Sequence, residues 1–471
     1  MSRRSNRASL PRRIESPVAM GEDEFRSERW TCRRRSRTIG RPLSSPSPFP
    51  PWSSPRGRFM SLSFALLKWM LLLSSVGLPN DWPAFRGPTG DGRVAGPATP
   101  LVWSDTNHVV WQVPIQGLGW SSPSVVDGVV YLTTAVQEEE RLSLRALAIS
   151  ADDGRVIWDR EVNSVETVPS IHAKNSHASP TPVIHDGAVY VHFGTYGTAC
   201  LQASDGSIVW INREIDYPPM HGSGGSPVLH DGVLVIICDG SSDPFVVAIE
   251  ASSGKQLWKR PRSVEARISH SFGTAAIATV DGRAQVIAPG PEHLAAYDLT
   301  SGEVLWQVRA PGWSVVPVPI FYRDLVIYNR DYDNPELLAV RLGGRGDVTD
   351  THVVWRLKRG APSTPTPVLV GDELYFVSDK GVVTCADAAT GEVHWTERIG
   401  GNYSASPLAF DDRLLLLDED GHATWLALGK EYRVLGTNDV TGRTLATPAF
   451  VDGAMYLRTD TTLTKYVDPN R

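Results

Sequence analysis

Cysteine is scarce in this sequence: 471 residues hold four, Cys32, Cys200, Cys238 and Cys385. They form no Cys-x-x-Cys and no adjacent pair, so neither a zinc site nor a disulfide framework is signalled. A helical period is missing from the body of the chain. Long apolar runs are confined to residues 60–79. Positive charge is also short: beyond residue 59 there are 32 basic against 47 acidic residues, a net −15. An acidic body argues against nucleic acid as a partner, because phosphate binding needs a basic surface. What is present is 41% hydrophobic residues, 15 Trp, 41 Gly and 35 Pro, enough to bury a large core and to make many turns.

The first 59 residues differ from the rest. They carry 14 Arg, no Lys and five acids, and more than half of them are Ser, Pro or Arg, a composition that reads as disordered. The run from Met60 to Pro79, apolar except for Lys68 and ending in small residues near Gly77, has the form of a secretory signal peptide. A membrane anchor through residues 60–78 is the alternative when Lys68 is counted inside the run. A true start at Met60, with residues 1–59 read from upstream DNA, would make sense of both segments. Residues 80–471 are then the exported body, expected in the periplasm or cell envelope.

That body repeats itself. A Ser-Pro or Thr-Pro opening runs within four residues into an Asp-Gly-type turn at Pro123, Pro182, Pro227, Pro367, Pro407 and Pro448, with weaker copies at Ala276 and Pro319. Each turn leads into a β-branched or aromatic run, the pattern of a β-hairpin. A second pattern places a small residue, then a Gly turn, then Trp four positions on: Ala148 to Gly154 to Trp158, Cys200 to Gly206 to Trp210, and likewise to Trp258, Trp306 and Trp395, with a longer-turned variant at Trp355. The period of 40 to 52 residues predicts an all-β, eight-bladed propeller of four-stranded antiparallel blades, with indoles between neighbours. The eighth copy stops after its third strand, and His108 to Val113 has the character of the missing fourth. Pairing the two ends would close the ring and remove two strand edges.

The repeated Ser-Pro…Asp-Gly…Ala-x-Asp-x-x-x-Gly-x-x-x-Trp blade and the opening Asp81-Trp-Pro-Ala-Phe-Arg-Gly-Pro88 resemble PQQ-like (pyrroloquinoline quinone repeat) β-propeller proteins. With Gly119-Trp-Ser-Ser-Pro123, the opening is similar to the exported members found in planctomycete bacteria. The resemblance covers roughly residues 80–467. It implies kinship with quinoprotein dehydrogenases, which hold the quinone on the axis with calcium, an Asp base, a stacking Trp and a disulfide between adjacent cysteines. It equally implies kinship with outer-membrane assembly lipoproteins of the BamB type. This chain has no adjacent cysteines and no segment that matches the calcium ligands or the base.

Propeller ligands sit at the axial funnel, at positions just before each innermost strand. Those positions hold Trp120, Asn175, His177, His221, His270, Trp313 and Tyr403, a set suited to a polar, planar ligand. Packing of the channel mouth is the plainer role for the same residues. The three imidazoles of His177, His221 and His270 raise the question of a metal, but no close ligand spacing supports one. Asp331 to Glu336 is rich in oxygen donors without the Gly and Glu spacing of a calcium loop. The chain is therefore expected to be an exported, monomeric binding or interaction module for a small molecule or protein at its funnel, with no catalytic residue assigned. The alternatives are an alcohol or sugar dehydrogenase dependent on PQQ and calcium, and a BamB-like assembly scaffold that binds extended peptides.

Overall fold

The computed structural model describes residues 81–95, 101–168, 170–262 and 266–468. The expectations for residues 1–59 and 60–79 lie outside the described residues.

Eight antiparallel sheets follow one another along the chain, one per sequence repeat. Blade one runs Ser124–Val126, Val129–Glu138, Arg141–Ser150 and Val156–Val165 from the axis outward, and blades two to seven repeat the order. Blade eight consists of Ala449–Val451, Ala454–Arg458 and Thr462–Val467, with Val109–Pro114 antiparallel to Thr462–Val467 as its fourth strand. Its innermost strand lies beside that of blade one. The Asp-Gly turns read from the sequence join the first and second strands. Asp127, Asp186, Asp231, Asp281 and Asp452 adopt positive φ there, each followed by a Gly, the geometry that a two-residue hairpin turn requires.

The Gly-x-x-x-Trp pattern has a cause that spans two blades. The indole Nε1 of Trp158, in the fourth strand of blade one, donates to the Ala203 carbonyl of blade two. Trp210, Trp258, Trp355 and Trp395 each reach the following blade in the same way, and Trp111 of blade eight reaches Ala151 of blade one. The glycine of each turn lies under the indole of the preceding blade. A Cβ on Gly206 would come within 2.7 Å of Trp158, and one on Gly302 within 2.5 Å of Trp258. Glycine thus supplies both the left-handed turn and the space for the ring.

Two features depart from the regular repeat. The long turn between the third and fourth strands of blade five contains a short helix, Thr349–His352. It also places Gly346–Asp347 parallel to the outer strand of blade four, as a fifth strand. The segment from Asp81 to Val94 crosses the axis on the face of the Asp-Gly turns. Trp82 bridges to Val125 of blade one, and Arg93 bridges to Ala409 of blade seven. The buried Arg86 guanidinium donates to the carbonyls of Thr366 and Pro367 in blade six and of Pro407 in blade seven. Burial, partly offset by Asp91, lowers its pKa to about 10, so it stays cationic and its donors remain satisfied by carbonyls.

Candidate functional site

The Ser/Thr-Pro openings do more than start strands. The backbone N–H of Ser122 donates to Thr181 Oγ1 (3.0 Å), that of Thr181 to Ser226 Oγ (3.0 Å), and that of Ser226 to Thr274 Oγ1 (2.9 Å). On the other side of the ring Val318 N–H donates to Thr366, Thr366 to Ser406 and Ser406 to Thr447, each at 3.0 Å. These links form a belt that ties neighbouring blades together around the axis. In each link the hydroxyl oxygen accepts, which leaves its O–H proton available to another acceptor.

Above the belt lies a cavity of about 290 Å³, lined by residues from all eight blades and by Phe85 of the crossing segment. Its lower wall is the hydroxyl set Ser122, Thr181, Ser226, Thr274, Thr366, Ser406 and Thr447, and Trp120, Phe272, Trp313 and Tyr332 add aromatic faces. Around one side of the mouth the rings of His172, His221, His270, Trp313 and Tyr332 succeed one another. Their centroid separations are 5.7, 5.6, 5.3 and 6.3 Å. On the other side the Arg443 guanidinium lies 5.6 Å above the Trp120 ring.

Four of the seven residues singled out from the sequence, Trp120, Asn175, His221 and Trp313, line this cavity. His270 stands outside the lining, wedged between the His221 and Trp313 rings. Burial first, and then the neighbouring His221, holds its imidazole below the ordinary value, so it packs as a neutral ring at pH 7. His177 and Tyr403 are corrections to the expected convergence. His177 is buried against Tyr196 of blade two, and Tyr403 is buried in the core shared by blades six and seven. Each is displaced by a neighbour, His172 in one case and Ser404 in the other. The three imidazoles that meet are therefore those of His172, His221 and His270. Among the described residues no group of three or more His, Cys, Asp or Glu is placed to hold a metal ion.

Sequence reasoning missed His172, Lys174, Phe85 and the hydroxyl belt. The belt had a signal, the recurring Ser/Thr before Pro, that reads equally well as a strand opener. Asn175 serves its own loop: Oδ1 accepts from Ser176 N–H and Ser179 Oγ, and Nδ2 donates to the His221 carbonyl. Lys174 is the one cationic side chain among the described lining residues, and it pairs with Glu419 of blade seven at 2.6 Å.

A calcium-bound quinone does not fit this donor set. Calcium takes six to eight oxygens, carboxylates among them, and the described lining residues include no carboxylate. A quinone bearing three carboxylates calls for several free cations, whereas Lys174 is already paired with Glu419, which leaves Arg443 at the mouth over Trp120.

Residues 88–263, 242–366 and 346–466 match the family described as outer membrane protein assembly factor BamB. The chain belongs to this family of PQQ-like β-propellers. It is 24% identical over 250 residues to the BamB of Moranella endobia (strain PCIT), a match covering 51% of this chain and 59% of that relative. The chain thus spans less than two thirds of the relative's length. The crystal structure of BamB from Moraxella catarrhalis superposes with a TM-score of 0.55 at 13% identity, covering 77% of this chain and 98% of the other. The quinohemoprotein alcohol dehydrogenase of Comamonas testosteroni superposes with a TM-score of 0.58, also at 13% identity, covering 82% and 80%. Both likenesses concern the fold alone. No described helix of this PQQ-like propeller is long and apolar enough to cross a membrane.

Proposed function

We propose that the chain is an exported binding module of the cell envelope whose axial cavity takes an uncharged, polyhydroxylated small molecule such as a mono- or disaccharide. One observation carries this reading: a belt of hydroxyls with free O–H protons beneath aromatic walls, in a cavity whose lysine is internally neutralised. Hydroxyl donors suit ligand oxygens, aromatic faces suit C–H surfaces, and the lysine among the described lining residues is already paired, while Arg443 is held over Trp120 at the mouth. Calorimetric titration with glucose, maltose and cellobiose is expected to give binding that Trp313→Ala removes. Absence of heat at ~10 mM of every sugar, where even weak sites fill, would sink it. Quinone titration with calcium serves as the contrasting arm: calcium-dependent uptake would favour the dehydrogenase alternative.

A second reading, an assembly scaffold of the envelope, draws support from the BamB relatives. It predicts a co-purifying outer-membrane protein whose retention survives loss of the funnel aromatics.

A further inference from the structure

Residues 171–179, between blades one and two, form a strap over the funnel. Its base is held firmly. Trp120 N–H donates to Ser176 Oγ and Ser121 N–H to the Ala178 carbonyl, and both Ser176 and Ala178 are fully buried. Its flank rests on blade three, where His172 N–H and Asn175 Nδ2 both donate to the His221 carbonyl. The fit is close: a Cβ on Gly222 would fall 2.9 Å from Asn175 Nδ2. Within the tip, Lys174 N–H donates to His172 Nδ1.

The far end of the strap is attached differently. Lys174 extends across the mouth to Glu419 of blade seven, three blades away around the ring. Glu419 is a fixed anchor: its N–H donates to the Asn402 carbonyl, its carbonyl accepts from Thr444 N–H, and its Oε1 also accepts from Ser404 Oγ at 2.7 Å. The lysine is the more exposed partner, with a third of its side chain exposed. With the base buried and the flank on the His221 carbonyl, the ion pair is the contact that ties the strap to the opposite side of the mouth, and its loss would bias the strap away from the closed arrangement.

We infer that the Lys174–Glu419 pair is a latch that closes the strap over the axial cavity, and that releasing it admits the ligand. The inference deepens the funnel-binding proposal and takes its importance from it, but it is tested without any ligand. Hydrogen exchange of residues 171–179 in the full-length chain is expected to quicken ~5-fold in Lys174→Met and in Glu419→Gln, while Lys174→Arg exchanges like the parent. Added NaCl at ~0.5 M should have a similar effect on the parent and little on Lys174→Met, since salt screens a partly exposed pair. Access is read by placing a thiol on the belt, Ser226→Cys, and timing its reaction with N-ethylmaleimide. Cys32 is replaced by Cys32→Ser in every variant compared, and the remaining native Cys200, Cys238 and Cys385 are buried, with thiol pKa values raised by burial, so they react slowly. Modification severalfold faster when Lys174→Met is combined with Ser226→Cys supports the latch. Equal modification rates overturn it, and so does unchanged strap exchange in both single variants. A failed sugar titration alongside accelerated exchange and modification would overturn the ligand proposal alone.

Discussion

Trp103 lies against Tyr466 with ring centroids 5.2 Å apart and planes tilted by 52°. The pair sits where the repeat fails. Blade seven has Gly436 where blades one to six carry the fourth-strand indole, and Trp425 stands opposite it on the third strand. The segment before Val109 fills the vacated place. Trp103 N–H donates to Asn438 Oδ1, Asn438 Nδ2 returns to the Leu101 carbonyl, and Ser104 bridges in parallel to Asp439. An indole from the start of the body therefore completes the seam between blades seven and eight.

Trp103→Ala is expected to cost ~3–5 kcal/mol, the usual loss for a fully buried large aromatic, in equilibrium denaturant unfolding. A loss under ~1 kcal/mol would show that the seam holds without it.

The glycines divide into two classes by substitution. Gly128 and Gly206 share positive φ, near 73° and 68°. A Cβ on Gly128 meets nothing within 4 Å, whereas one on Gly206 strikes the Trp158 ring. Gly128→Ala should cost only the left-handed strain, ~1 kcal/mol, and Gly206→Ala roughly 2–4 kcal/mol. Equal melting shifts for the two would refute the docking role of Gly206.

The belt is testable through its acceptors. Ser406→Ala orphans the buried N–H of Thr366, and Ser226→Ala orphans that of Thr181. Each should lose ~1–3 kcal/mol of stability. A denaturant midpoint unchanged in both would mean that water replaces the hydroxyl at no cost.

Two buried imidazoles set a pH dependence. His192 is held neutral by burial, with its pKa lowered to about 4, and His293 to about 3, by burial and then by Arg262. Both folded-state values lie below the unfolded value of 6.5, so the unfolded chain binds protons more readily. Stability is full above pH 6.5 and falls as pH drops through the window down to 4 for His192 and 3 for His293. At pH 5 the loss is ~2 kcal/mol for His192. His192→Leu should flatten that share of the slope in urea unfolding at pH 7 and pH 5, and an unaltered slope would contradict it.

Much of this protein was legible because its information is local. The Asp-Gly turns, the β-branched and aromatic runs and the Gly-x-x-x-Trp spacing each lie within one hairpin, so residues such as Asp231 and Trp258 disclose the blades and their number. The sequence by itself determined the strand order within each blade and where its turns fall. The axial site was decided only in three dimensions, since it is built from single residues that lie some fifty positions apart. His177 and His172 both lie in the loop preceding blade two, and only packing against Tyr196 turns the first away and leaves the second at the funnel. Likewise Lys174 meets Glu419, and Trp103 meets Tyr466, because ring geometry brings together blades that the chain separates by hundreds of residues. No period along a linear sequence records such a meeting, for a ring's contacts depend on its curvature as well as on its repeats.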